Sequence, residues 1–97
     1  MTELRVRPEA ELDAFEAATW YESEREGLGT NFLLGLRMVF ARIEYGPLQF
    51  PLVTADIRRA ILSRFPFGVF FFTEADVSTV IAVMHLHRHP NSWEQRR

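Results

Sequence analysis

Apolar residues recur at helical spacing in the first third of the chain. Pro8 suits the first turn of a helix that runs to about Glu26, in a segment rich in alanine and glutamate. Its predicted apolar side combines Leu12, Phe15 and Thr19 with the neighbouring Ala14, Ala17, Ala18 and Tyr21. This distribution is typical of an amphipathic helix with a broad buried face.

A second helix follows the break at Gly27-Leu28-Gly29. Thr30 or Asn31 can cap it, and Gly46-Pro47 ends it. Its apolar stripe recurs at i, i+4, i+7, i+8 and i+11, in Phe32, Leu36, Val39, Phe40 and Ile43. Because the connection between the two helices is so short, the sequence predicts an antiparallel helix hairpin.

The remaining segments have the patterns of strands. Leu4–Arg7 alternates apolar and polar residues, which indicates a short strand before the hairpin. After a predicted loop from Leu48 to Asp56, turns at Pro66-Phe67-Gly68 and Glu74-Ala75-Asp76 divide the chain into strands Ile57–Phe65, Phe67–Thr73 and Val77–Leu86. The sequence therefore predicts one α+β domain over residues 1–97, with the order β-α-α-β-β-β and a helix hairpin packed on a small, mainly antiparallel sheet.

The last two predicted strands are apolar on both faces. Phe70 and Phe72 alternate with Val69 and Phe71 on one strand; on the next, Val77, Ile81 and Val83 alternate with Val80, Ala82 and Met84. A helix hairpin covers only one face of a sheet, so the other face should be polar. Since it is not, either the carboxy-terminal tail or another chain must cover it.

Composition narrows the class of protein. The 97 residues include nine phenylalanines and no cysteine, which excludes disulfides and thiolate metal sites. No apolar run approaches the length of a membrane span, and the amino terminus lacks the apolar run of a signal peptide, so we expect a cytoplasmic protein without a membrane partner.

Charge is distributed unevenly along the chain. Residues 1–49 carry nine acids and five arginines, whereas residues 50–97 carry four acids and six arginines, with no lysine anywhere. An anionic partner should therefore meet the carboxy-terminal half. Arg58, Arg59, Arg64 and Arg88 are the candidates for this contact, with Arg58 and Arg64 on the same face of a strand. Alternatively, these arginines only solvate a sheet edge or pair with Asp56 and Glu44.

Three histidines alternate near the end of the last strand, at positions 85, 87 and 89. In an extended chain they would project to one side, as metal ligands can, but no nearby carboxylate or cysteine completes a site. We therefore expect no metal or other cofactor. Ordinary strand-end histidines are the better interpretation, and acid–base catalysis is a further one.

The order and spacing of several short motifs resemble the ParE/RelE superfamily of toxins. They are Ala17-Ala18-Thr19-Trp20-Tyr21-Glu22, Gly27-Leu28-Gly29 before Phe32-Leu33, Phe50-Pro51, Arg58 to Phe67, Ala82-Val83-Met84-His85, Arg88-His89-Pro90, Trp93 and Arg97. The resemblance spans nearly the whole chain. It implies the toxin of a type II toxin–antitoxin pair, which arrests growth when free and is neutralised by a cognate antitoxin.

Two branches of the superfamily differ in their target. ParE-like members bind DNA gyrase, whereas RelE-like members cut messenger RNA on the ribosome. Ribosome binding favours a basic protein, but the pI here is about 5.9. Near the tail, where the resemblance to the RNase members leads one to look for a catalytic tyrosine, the chain has Trp93. The gyrase-directed branch is favoured, and it needs no catalytic residue. If the chain is instead an RNase, His85 and Arg64 are the candidate acid–base and phosphate-binding residues; a non-toxic co-repressor scaffold is a third alternative.

The resemblance also implies how an antitoxin is engaged. We expect a ribbon-helix-helix antitoxin of the ParD type. The toxin would contact operator DNA only through this antitoxin. Its amphipathic segment, or else the cellular target, should contact the four arginines together with Trp93, Phe70 and Phe72. Five phenylalanines between positions 65 and 72 leave some rings facing outward for such a contact. Trp20 and Tyr21 are expected to pack on the helix hairpin.

Overall fold

The computed structural model describes all 97 residues and has the predicted α+β order. Its elements are β1 (Glu3–Val6), α1 (Pro8–Glu24), α2 (Leu28–Tyr45), a 3₁₀ turn (Pro47–Gln49), β2 (Leu52–Thr54), β3 (Ile57–Ile61), β4 (Phe67–Glu74), β5 (Val77–His85) and α3 (Asn91–Glu94). The sheet order is β1-β5-β4-β3-β2, in which only β1 runs parallel to its neighbour. The predicted fold class is confirmed.

The helix hairpin is joined by a carboxylate of α1. Gly27 adopts a left-handed conformation with φ of 87°, which reverses the chain after α1. The Glu22 carboxylate accepts hydrogen bonds from the backbone N–H groups of Gly27 and Gly29, each at 2.9 Å. Those bonds hold the pKa of Glu22 below its usual range. The predicted cap at Thr30 or Asn31 is wrong, because α2 begins at Leu28 and Glu22 supplies the acceptor.

The buried side of α1 differs from the predicted one. Ala10, Ala14 and Ala18 face the core, whereas Leu12 and Phe15 are exposed. The alanines occupy the buried side because α1 and α2 approach closely, and larger side chains there would hold the two helices apart. On α2 the predicted stripe is confirmed, with Phe32, Leu36, Val39 and Ile43 buried and Phe40 packed beside them. None of the helices combines the length and apolarity that a membrane span requires.

The sheet contains one strand that the sequence did not predict. β2 is a three-residue edge strand within the predicted loop, and it pairs with β3 across the turn at Ala55-Asp56. β3 is also shorter than predicted: it ends at Ile61 rather than Phe65, so the segment up to Pro66 is a connecting loop. A hydrogen bond from Leu62 N to Phe67 O closes this loop. Arg64 therefore lies on the loop and shares no strand face with Arg58.

A bulge shifts the alternation of β5. Phe70 pairs with Ala82 and Phe71 with Val80, which leaves Ile81 as the extra residue. Val80 and Val83 consequently lie on the face that the hairpin covers, hereafter the helix face. Ile81, Ala82 and Met84 lie on the opposite face with Phe70 and Phe72. The predicted strict alternation of β5 is wrong for this reason.

Two apolar cores thus flank the sheet. The larger one lies between the helix face and the hairpin, and the smaller one lies on the opposite face beneath Trp93 of the tail, residues 86–97. We call this opposite face the tail face. Of the two coverings that the sequence left open, the structure shows the tail.

The close approach of the helices makes Gly29 sensitive to substitution. A Cβ at Gly29 would overlap the carbonyl oxygen of Ala18, whereas a Cβ at Gly35 would make ordinary contact with Leu62 at 3.8 Å. We predict that Gly29→Ala lowers the free energy of unfolding by about 1–3 kcal/mol. Gly35→Ala, the matched control, should raise it by up to about 1 kcal/mol, because alanine favours a helix. Urea unfolding measures both, and equal effects would contradict the close approach.

Candidate functional site

The tail packs onto the sheet through one aromatic stack. The ring of Trp93 lies 4.4 Å from that of Phe70, centroid to centroid, at an interplanar angle of 19°. Trp93 is 5% exposed and Phe70 2%. The short helix α3 positions Trp93, with backbone hydrogen bonds to the carbonyl of Pro90 from Trp93 and Glu94. The stack removes the indole ring of α3 and a phenyl ring of β4 from water.

An ion pair joins the tail to α1 at the bulge of β5. Arg96 donates to both carboxylate oxygens of Asp13, at 2.7 and 3.3 Å, and to the carbonyl of Ile81 at 3.1 Å. The same carboxylate accepts a hydrogen bond from Val83 N at 3.0 Å. β1 has already turned into α1 at this level, its last contact being Arg7 N to Val80 O. Asp13 and Arg96 therefore take the place of the missing strand along this edge.

The last residue of the chain covers the other end of the tail face. The Arg97 guanidinium lies 3.4 Å from the centroid of the Phe72 ring and pairs with Asp56 at 2.7 Å and Glu74 at 3.2 Å. Its hydrogen bonds hold the pKa of Asp56 below the usual range, and those with Asp56 raise the pKa of Arg97. Arg7 also reaches the tail, because it donates to the carbonyl of Arg96.

These contacts change the role of three residues expected to bind a partner. Phe70, Phe72 and Trp93 are buried against one another and beneath the arginines of the tail. A partner can contact their rings only after the tail leaves the sheet. The rings that the sequence assigned to an outward surface instead form the smaller core.

The four predicted arginines do not form one cationic surface. Arg58 is half-buried and donates to the carbonyl of Phe50 at 2.6 Å. Arg59 lies across Gly68, with its Nε buried and without a hydrogen-bond partner. Arg64 is exposed on the loop after β3, and Arg88 is exposed in the tail beyond β5. The alternative partner Asp56 is held by Arg97.

The three histidines do not form one cluster: the rings of His85 and His87 meet edge to face with centroids 5.1 Å apart, at the point where the strand ends. His85 Nδ1 accepts a hydrogen bond from His87 N, and His89 Nδ1 accepts one from Asn91 N, each at 3.1 Å. Both contacts stabilise turns that lead into α3. The three rings do not project together from a strand, and no group of three histidine, aspartate or glutamate side chains is placed to hold a metal ion.

His85 lines a groove that the sequence did not reveal. The aromatic groove, a cavity of about 430 Å³, lies between α1 and the ends of β4 and β5; its lining is Ala17, Trp20, Tyr21, Pro66, Phe67 and His85. Burial raises the pKa of Tyr21. Trp20 is 58% exposed at the rim, so the expectation that it packs on the hairpin is wrong. Adjacent positions on a helix point about 100° apart, so Trp20 and Tyr21 lie at different distances from the centre of the buried face of α1.

A second cavity adjoins this groove and brings charged groups to His85. It measures about 210 Å³ and is lined in part by Asp13, Glu16, His85 and Arg88. Arg64 lies in a different cavity, beside α2. The predicted pair of His85 and Arg64 therefore does not share a cavity, and Arg88 is the arginine that does share one with His85.

Comparison with known proteins shows a shared fold. No protein-family model matches the sequence, and no curated protein matches it. Among solved structures, a chain from the chromosomal ParDE TA system of P. aeruginosa superposes with a TM-score of 0.78 at 15% identity. The match covers 88% of this chain and 96% of that chain. The chain thus has the fold of that protein over nearly its whole length.

The Asp56–Arg97 contact should make stability depend on pH in the acidic range. Because the folded pKa of Asp56 is lowered, its contribution is complete above the unfolded value of about 4 and is lost as the pH falls through the folded value. We predict that Asp56→Asn lowers the free energy of unfolding at pH 6 and that this difference shrinks towards zero below pH 4. Asp76→Asn, in the equivalent Ala-Asp turn but without an ion pair, is the control. A difference for Asp56→Asn that is constant with pH would contradict the contact.

Proposed function

We propose that this protein is the toxin of a type II toxin–antitoxin system and that it inhibits DNA gyrase by binding. The observation that carries the proposal is the fold shared with a chain of a ParDE TA system over 88% of this chain. The ordered motifs from Ala17 to Arg97 support the same assignment, because their spacing resembles that of ParE/RelE toxins. A cognate antitoxin of the ribbon-helix-helix type would neutralise it and carry it to operator DNA.

The tail supports a binding function over RNA cleavage. An RNase of this fold would need cationic and proton-transferring groups together on an accessible surface. Here the tail face is filled by Trp93, Phe70 and Phe72, and the arginines are dispersed over several elements. The pI of about 5.9 also suits ribosome binding poorly. A protein target requires none of these groups to react.

One observation favours a messenger-RNA endonuclease as the second candidate. His85 and Arg88 line one cavity, next to the aromatic groove with its exposed Trp20. In that function His85 would act as the general base, Arg88 would bind a phosphate, and Trp20 would stack on a base. This set replaces the pair of His85 and Arg64 that the sequence suggested.

Exposed apolar side chains of the helix hairpin support the presence of a partner. Leu12, Phe15, Trp20, Leu34 and Met38 are each more than half exposed, although the domain is small. Clusters of such residues on a soluble surface usually mark a protein interface. The tail covers the sheet face that the sequence left open, so this face no longer requires another chain, whereas the exposed side chains of the hairpin still suit one.

Induction of the protein in a bacterial host separates the two candidates. We predict that DNA damage signalling and filamentation precede any fall in protein synthesis, because inhibition of gyrase first affects the supercoiling and integrity of DNA. His85→Ala should leave this toxicity largely intact, with His89→Ala as the control for a tail histidine outside the cavity. Growth, damage-reporter fluorescence and amino-acid incorporation are followed together.

Other outcomes identify the other functions. If messenger RNA is cut within minutes and His85→Ala lowers the cleavage rate by about 10²–10⁴-fold, the protein is an endonuclease and the gyrase assignment fails. Harmless expression of folded protein would leave the co-repressor scaffold and contradict the proposal of an active toxin.

A further inference from the structure

One flank of α2 carries three largely exposed apolar side chains, preceded by the polar side chain of Asn31. Asn31, Leu34, Met38 and Tyr45 recur at i, i+3, i+7 and i+14, which places them along one side of the helix. Leu34 is 51% exposed, Met38 69% and Tyr45 76%. We call these four residues the α2 stripe. It lies away from the buried residues Phe32, Leu36, Val39 and Ile43 and extends over about 20 Å at the helical rise per residue.

The loop after β3 forms a cavity beside this stripe. The cavity measures about 260 Å³ and is lined by Asn31, Leu34, Gly35, Met38, Arg64 and Phe65. Gly35 contributes no side chain there, so the cavity reaches down to the backbone of α2. Its only charged residue is Arg64, which forms no ion pair within the chain.

The charges of the two helices differ in sign. α1 carries six acids and no arginine, whereas α2 carries Arg37 and Arg42 with Glu44 as its only acid. Arg64 adds a third positive charge on the side of the α2 stripe. A row of exposed apolar side chains beside arginines is complementary to a helix with an apolar side and flanking carboxylates.

We propose that the α2 stripe and its adjoining cavity bind an acidic amphipathic helix of the antitoxin, with an apolar side chain in the cavity and a carboxylate against Arg64. The inference rests on the proposed toxin–antitoxin function and adds the location of the contact. The antitoxin would then bind this accessible surface and not the buried rings of Phe70, Phe72 and Trp93. Of the four arginines predicted to bind a partner, Arg64 is retained. The aromatic groove and the cavity of His85 then stay open for the cellular target.

A second copy of the chain is the competing occupant. The outer side of α1 presents Leu12 and Phe15 among glutamates, so it has the chemistry of an acidic amphipathic helix itself. A complementary pair of different surfaces joins copies either reciprocally across a two-fold axis or head to tail. Either arrangement would give self-association of the free protein, which light scattering detects.

Co-purification with the product of the adjacent reading frame tests the proposal. We predict that Met38→Glu and Arg64→Glu each raise the dissociation constant of that complex about tenfold or more, because the first places a carboxylate on the apolar side and the second removes the charge partner. Leu12→Glu and Arg25→Glu are the matched controls, since they make the same changes at exposed positions of the α1 segment. Circular dichroism and the urea midpoint verify that all four variants fold.

The possible outcomes separate the contact at the α2 stripe from the toxin–antitoxin function itself. Equal affinity in all four variants overturns the α2 stripe as the antitoxin contact and leaves the toxin–antitoxin function standing. Failure of the unmodified protein to bind the neighbouring product overturns both. Equal weakening in the controls indicates general charge repulsion and also overturns the contact. A dimer of the free protein in light scattering that Met38→Glu dissociates assigns the surface to a second copy instead.

Discussion

The covering of the tail face by the last residues of the chain is the constraint on which the rest of the structure depends. Phe70, Phe72 and their neighbours cannot be left in water, and the helix hairpin already occupies the helix face. Trp93 supplies the apolar cover, and Arg96 fastens it by binding Asp13 where the bulge at Ile81 and the end of β1 leave the edge of β5 without a strand. Hairpin, sheet edge and tail thus meet at one carboxylate.

That arrangement decides which surfaces are free to bind. With the tail in place, the tail face offers no cluster of reactive groups, and the accessible apolar surface is on the hairpin and in the aromatic groove. The fold shared with a ParDE chain and the location of these surfaces support the same proposal, that this small protein acts by binding to other proteins. The α2 stripe and the groove lie on separate elements, so antitoxin and target could use different parts of the molecule.

Sequence patterns predicted the elements better than their contacts. The stripe from Phe32 to Ile43 and the alternation of β4 were readable because helical and strand periods are local properties. The inward side of α1 was not, since the close approach of α2 favours Ala10, Ala14 and Ala18 over Leu12 and Phe15. The site was least predictable: the Asp13–Arg96 contact joins residues 83 positions apart, and the bulge at Ile81 places that residue on the tail face.

Acrylamide quenching of two single-tryptophan variants tests the closed tail most directly. Trp20→Phe leaves only Trp93, which is 5% exposed, and Trp93→Phe leaves only Trp20, which is 58% exposed. We predict a blue-shifted and weakly quenched emission from Trp93, in contrast to strong quenching of Trp20. Arg96→Met in the Trp93-only protein should increase the quenching, because it removes the contact with Asp13. Equal quenching of Trp93 and Trp20 in the folded protein would contradict the closed tail face.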